Sequence, residues 1–371
     1  MMPAPTPLPT APLGTTGMDI TRVGLGAWAI GGGGWFGSMG HQDDESSQAT
    51  IRHAVERGVN WIDTAAVYGH GHSEDVVAAA LHHLPEADRP YVFTKGGLAW
   101  DAADRSREPQ RVGTPASLRR EVEASLRRLR VERLDLYQMH WPAADGTPLE
   151  EYWPVFLDLR AQGKVRAVGL SNHGVADLDA CEKLGHVDSV QPLLNAIHRE
   201  AAADVVPWCL DHGAGVIVYS PMASGLLSGT FTAERAERLD ALDLRRQSPD
   251  FRGAGLERNL ALADTLRPIA QRHDVTVPAV AVAWTLTVPG VTGAIVGARH
   301  PHHIDGWLPA AHLVLDATDL TQIATALHHP PCFLCRARSR DGASSHSHRL
   351  PPRETRALRR GGPHARQRKT A

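Results

Sequence analysis

The feature that most constrains this chain is a beat: short apolar runs of strand length alternate eight times with helically spaced segments between Val23 and Gly297. The runs are Val23 to Ile30, Val59 to Asp63, Tyr91 to Lys95, Leu134 to His140, Val165 to Leu170, Asp188 to Gln191, Gly215 to Ser220 and Val291 to Gly297. The segments between them carry helix signatures. Asp43-Asp44-Glu45-Ser46 opens one whose apolar positions are Ala49, Ile51, Ala54 and Val55, and Pro115 to Arg130 lines up Leu118, Val122, Leu126 and Leu129 along one face. A helix from Glu200 to Cys209 is read in the same way. Strand and helix in strict alternation make an α/β protein with a parallel sheet, and eight repeats point to a closed (β/α)8 TIM barrel rather than an open doubly wound sheet.

Length alone does not choose, because 371 residues accommodate two average domains or one barrel with tails. The reading is a Pro-rich leader over 1–12, a barrel over 13–329 and a tail over 330–371. Leu13 to Val23 alternates around Gly17 and reads as a hairpin able to plug the bottom of the barrel. With 42% hydrophobic and 22% charged residues the chain is composed like a soluble globular protein. A net charge of -2 offers no overall field for nucleic acid or an anionic membrane. Met1 to Pro12 lacks the basic and apolar regions of a secretory signal, and no run approaches a membrane span, so the expected location is cytoplasmic.

The eight runs end in an informative way. Asp63, Lys95, His140, Gln191, Ser220 and Gly297 close six of them on polar or small residues, and in a barrel all those ends share one mouth. Each has a dull explanation: Asp63 could cap a turn, Tyr68 could pack, Lys95 could be a solvated loop residue and His140 a satisfied buried imidazole. Their order on consecutive strands argues for a site instead.

The segment Asp63-Thr64-Ala65-Ala66-Val67-Tyr68-Gly69 resembles the Asp-Thr-Ala-x-x-Tyr-Gly stretch of the aldo-keto reductases. Thr94-Lys95-Gly96-Gly97 and Gln138-Met139-His140-Trp141-Pro142 follow in that family's order, and the likeness runs from about Leu13 to Leu327. The resemblance implies a catalytic tetrad of Asp63, Tyr68, Lys95 and His140. Reduction of a carbonyl needs a hydride that no side chain supplies, so it also implies a nicotinamide cofactor. Tyr68 would act as general acid, its pKa pulled down by the Lys95 ammonium, with Asp63 aiming the lysine and His140 orienting the carbonyl.

The cofactor segments implied by the resemblance are Gly26-Ala27-Trp28, Ser171-Asn172, Gln191, Tyr219 to Leu227 and Gly297 to Arg299, with Asp63 and His303 beside them. Ser171, Asn172 and Gln191 would hold the carboxamide and Tyr219 would stack on the nicotinamide. Ser220, Pro221, Met222, Ala223, Ser224, Gly225 and Leu227 would cover the pyrophosphate, Gly297 belongs to the last cofactor segment, and Arg299 there would meet the 2′-phosphate, which favours NADPH. The sequence departs from the family pattern at His173, and at His303 and Trp307, where Gln and Asn are usual near the adenine.

The expected function is reduction of aldehydes or ketones to alcohols with NADPH, on a small-molecule carbonyl substrate, with neither nucleic acid nor membrane as partner. Two other readings stand beside it: a cofactor-binding regulatory subunit resembling the potassium-channel β subunits, and a metal-dependent barrel hydrolase using some of the 21 histidines. Thr230 to Gly255, rich in charge, is either a surface excursion or a lid. The tail carries eleven Arg and Lys residues from Arg336 to Lys369 against Asp341 and Glu354, and is expected to be disordered. Cys332 and Cys335 form a lone pair there, without the context of a zinc or redox site.

Overall fold

The computed structural model describes residues 7–328. The expectations for the 330–371 tail, its arginines and Cys332 and Cys335 lie outside the described residues. Two short antiparallel strands, β1 (Thr10–Pro12) and β2 (Asp19–Thr21), form a hairpin ahead of the barrel. The barrel begins with β3 (Val23–Gly26), β4 (Trp61–Asp63) and β5 (Tyr91–Gly96). After it comes a small second hairpin of β6 (Leu98–Ala99) and β7 (Gln110–Arg111). Then follow β8 (Leu134–Met139), β9 (Val165–Ser171), β10 (Ser189–Gln191), β11 (Gly215–Tyr219) and β12 (Gly293–Gly297). The barrel strands pair in parallel in the order β3-β4-β5-β8-β9-β10-β11-β12, and β12 returns to β3 to close the ring.

Register decides what meets at the rim. Gly26 lies beside Asp63, Lys95 beside Gln138, Gln191 beside Ser171, and Gly297 beside Gly26. The strand-end residues are therefore brought to one mouth by pairing alone.

The helices bury one face each against this ring. In Pro115–Leu129 the buried residues include Leu118, Val122, Leu126 and Leu129, the stripe its spacing predicts. Each such side chain contributes roughly 1.5–3 kcal/mol on leaving water. The barrel interior is a separate cluster of Leu13, Met18, Ile20, Trp61, Phe93, Leu136, Ala167, Ile217 and Ile295. Leu13, Met18 and Ile20 come from the leading hairpin and are fully buried, so the hairpin does plug the barrel floor. Trp61 spreads over Gly24, where an added Cβ would stand 2.1 Å from the indole, and its Nε1 donates to the Thr21 carbonyl at 2.8 Å.

Three boundaries differ from expectation. The first barrel strand stops at Gly26, and a 3-10 turn covers Ala29–Gly31; Ala29 and Ile30 are buried as loop residues, which is why the apolar run continues past the strand. The helix expected over Glu200 to Cys209 is broken into a 3-10 turn, Glu200–Ala202, and a helix, Val205–His212, because the Asp204 carboxylate accepts from the Val205 N–H at 2.6 Å and starts a new N-terminus. The plugging hairpin starts at Thr10, inside the segment read as leader. Among the described residues no helix is long and apolar enough to cross a membrane.

Candidate active site

Lys95 rises from the end of β5 into a nearly closed space. Its Nζ donates to Asp63 Oδ1 at 2.5 Å, to the Thr64 carbonyl at 2.9 Å and to the Tyr68 hydroxyl at 3.5 Å. The Tyr68 ring packs edge-on against His140, centroids 5.7 Å apart, and lies nearly parallel to Trp28 at 6.2 Å. The turn that carries Tyr68 is held by a close backbone approach. Gly69 sits at φ +64°, and a Cβ there would come within 2.2 Å of the Gly31 carbonyl oxygen. Gly31 thus braces the turn that carries the tyrosine.

Burial dominates the electrostatics. It pushes the Tyr68 phenol well above its ordinary value, and the Asp63 charge adds to the push. The phenol is therefore not held down as the resemblance implies: burial and the Asp63 charge both raise it. Burial also raises Asp63 and lowers Lys95, each partly offset by the other. His140 is driven well below the imidazole range by burial and then by Lys95, so it is neutral at pH 7.

Next to the tetrad a set of amides is locked together. Gln191 Nε2 donates to Asp63 Oδ2 at 2.8 Å. The Asn172 amide donates to the His140 carbonyl at 2.9 Å and to Ser171 Oγ at 3.0 Å, and its oxygen accepts from the Tyr219 hydroxyl at 2.8 Å. Asn172, Ser220, Ala223 and Ser224 all hold positive φ without being glycine. Backbone strain of this kind concentrates where side chains must be aimed at a ligand.

These groups border a cleft of about 520 Å³. Gly26, Ala27, Trp28, Asp63, Tyr68 and His140 line it, as do Ser171, Asn172, Gln191 and Tyr219. So do Ser220, Pro221, Met222, Ser224, Gly225, Gly297, Arg299 and His303. Lys95 lies just beneath the surface, 1% exposed. The side chains of Ala223 and Leu227, on the 3-10 turn Ala223–Ser228, are buried in the core and do not border the cleft. Trp307 is buried in the core as well, so only His303 of that pair reaches the cleft, pushed down to about 4 by burial and the charges around it.

Several lining residues were not foreseen. Arg235, Leu244 and Arg245 come from the charged insertion, and the Gly37 N–H donates to the Leu242 carbonyl at 2.9 Å, so this segment folds over the mouth as a cover. Arg245 is clamped by the buried Asp243, with its Nη2 donating at 2.6 Å. Arg299 donates from Nε to Gln42 Oε1 at 2.7 Å and from Nη2 to the His41 carbonyl. Burial and the neighbouring guanidiniums both hold Arg299 below its usual value. One end of the cleft is thus cationic, and the other carries amides and rings. That division suits a dinucleotide, with phosphates at the first end and a carboxamide-bearing ring at the second. Trp35, Phe36 and Met39, on a loop whose path no periodicity reveals, and Arg111, at the end of β7, also line the mouth. Among the described residues no group of three or more His, Cys, Asp or Glu is placed to hold a metal ion.

The model of the Aldo/keto reductase family matches residues 22–328. The chain is 34% identical over 315 residues to an aldo-keto reductase of Bacillus subtilis, covering 85% of this chain and 92% of that protein. It is 33% identical over 328 residues to the NADH-specific methylglyoxal reductase of Escherichia coli, covering 85% and 98%. Among solved structures, a glycerol dehydrogenase of Gluconobacter oxydans superposes with a TM-score of 0.77 at 36% identity, covering 87% of this chain and 97% of that one.

Proposed function

The chain belongs to the aldo/keto reductase family of oxidoreductases, and from that premise we propose that it reduces aldehyde or ketone carbonyls to alcohols with NADPH, Tyr68 acting as the general acid. The observation that carries this reading is the meeting of Tyr68, Lys95, Asp63 and His140 at one rim, with the phenol 3.5 Å from the ammonium. A nicotinamide, when bound, supplies the hydride. Ser171, Asn172 and Gln191 would hold its carboxamide and Tyr219 the face of its ring. The turn from Ser220 to Gly225, with Arg235, Arg245 and Arg299, would hold the phosphates.

The chain's own part is the proton. Because burial keeps the Tyr68 phenol protonated, it is an acid at rest, and it gives its proton to the alkoxide oxygen as that charge develops. The phenolate left behind faces the Lys95 ammonium, which Asp63 anchors. Neutral His140 can donate one ring N–H to the same oxygen and fix its angle. Consumption of NADPH with a panel of aromatic aldehydes, followed at the absorbance of the reduced nicotinamide, tests the reaction.

Arg299 is proposed to meet the 2′-phosphate. Its Gln42 and carbonyl partners set the plane of the guanidinium and leave part of its donor edge for a ligand. In Arg299→Ala the preference for NADPH over NADH should fall about tenfold or more, the value of one directed charge-assisted contact. An unchanged ratio of dissociation constants would move the 2′-phosphate elsewhere. The comparison matters because the Escherichia coli relative is described as NADH-specific.

A further inference from the structure

We propose that Arg111 selects carbonyl substrates carrying an anionic group, a carboxylate or a phosphate, on the side away from the reacting carbonyl; this deepens the reading of the cleft as a carbonyl-reducing site and rests on it. Arg111 ends β7, is exposed, and lines the cleft that Asp63, Tyr68 and His140 also border. Its guanidinium lies over the Trp141 ring, 4.4 Å from the centroid, and Trp141 directly follows His140. The backbone beneath it is held from two sides. Arg111 pairs with Leu98 of β6, just beyond Lys95, and its carbonyl accepts from the Ala144 N–H at 2.9 Å, in the loop after β8.

Among the described residues Arg111 differs from the paired arginines in lacking a protein hydrogen-bond partner, a property it shares in this cleft with Arg235, which lies over Phe231. Arg119, Arg128, Arg160 and Arg245 each bind a carboxylate. Among the described residues the Arg111 guanidinium makes no hydrogen bond and no ion pair. Stacking on an indole fixes the plane of a guanidinium while leaving its N–H edge open, the geometry that meets a carboxylate or phosphate with two parallel bonds. Of the other lining residues Leu98, Pro109 and Trp141, none carries a charge, so the guanidinium is the cation an anion would meet there. Glu108 also lines this mouth and makes no ion pair with Arg111, so a cationic substrate is the competing outcome.

The test compares kcat/KM for para-carboxybenzaldehyde, benzaldehyde and para-trimethylammoniobenzaldehyde in the intact chain and in Arg111→Met and Arg111→Lys. The ratio of carboxylated to neutral aldehyde should exceed one in the parent chain. It should fall about tenfold in Arg111→Met, as expected for a partly solvated charge-assisted contact, and by less in Arg111→Lys. A ratio untouched by Arg111→Met overturns the proposal, and so does a preference for the cationic aldehyde, which would make Glu108 the reader. Calorimetric binding of terephthalate against terephthalamide reads the same selectivity without turnover. Should no aldehyde be reduced while terephthalate binding still weakens in Arg111→Met, the proposed activity fails and the anion site stands. Terephthalate binding equally well to both chains removes the site.

Discussion

Exchanging Lys95 for methionine is expected to lower the unfolding free energy by about 3–5 kcal/mol, the penalty for stranding one member of a buried ion pair. Lys95 is 1% exposed and Asp63 2%, and the lysine amine supplies Asp63 Oδ1 with its donor. Methionine keeps the length of the stem and removes the charge, so Asp63 must either stay ionised against Gln191 alone or take up a proton. Lys95→Met combined with Asp63→Leu should recover much of the lost stability while leaving turnover abolished, because two apolar groups ask for no partner. Urea denaturation of the single and double variants measures both quantities. A single variant within about 1 kcal/mol of the parent would show the pair exposed enough for water to replace the lysine.

Tyr68→Phe should reduce turnover by about 10²–10⁴, the usual range for loss of a positioned general acid. The change is confined to one oxygen. The phenol hydroxyl bonds Lys95, and the ring keeps its packing against Trp28 and His140. Stability should therefore move little, and the cofactor should bind as before. Full turnover in Tyr68→Phe would take the proton-transfer role from this residue and leave His140 as the next candidate.

How far the sequence carries these conclusions differs from element to element. The barrel was legible because each strand is a run of buried residues bounded by helix caps such as Asp43, whose carboxylate accepts from the Ser46 N–H. The rim was legible for a topological reason: parallel strands bring Asp63, His140 and Gln191 to one mouth whatever the loops do. Protonation was not legible in the same way. A list of neighbours suggests that Lys95 acidifies Tyr68, but the depth of the phenol decides its direction, and depth is a property of the folded chain. Nor were the loop residues foreseen. Arg235 and Arg245 belong to a segment with no repeat, and Arg111 acquires meaning only from the ring it lies on. Ala223 and Leu227 belong to the same turn as Ser224 and Gly225, yet their side chains are buried while those two residues line the cleft, a division that sequence order does not show.

The hairpin seated beneath the strands has a kinetic consequence. Among the described residues Leu13, Met18, Ile20 and Trp61 fill the interior below the rim, so that end of the barrel is closed to a ligand. A molecule held at the strand-end mouth therefore leaves by the way it came. Where one occupant lies beneath another there, the upper one must depart before the lower can follow.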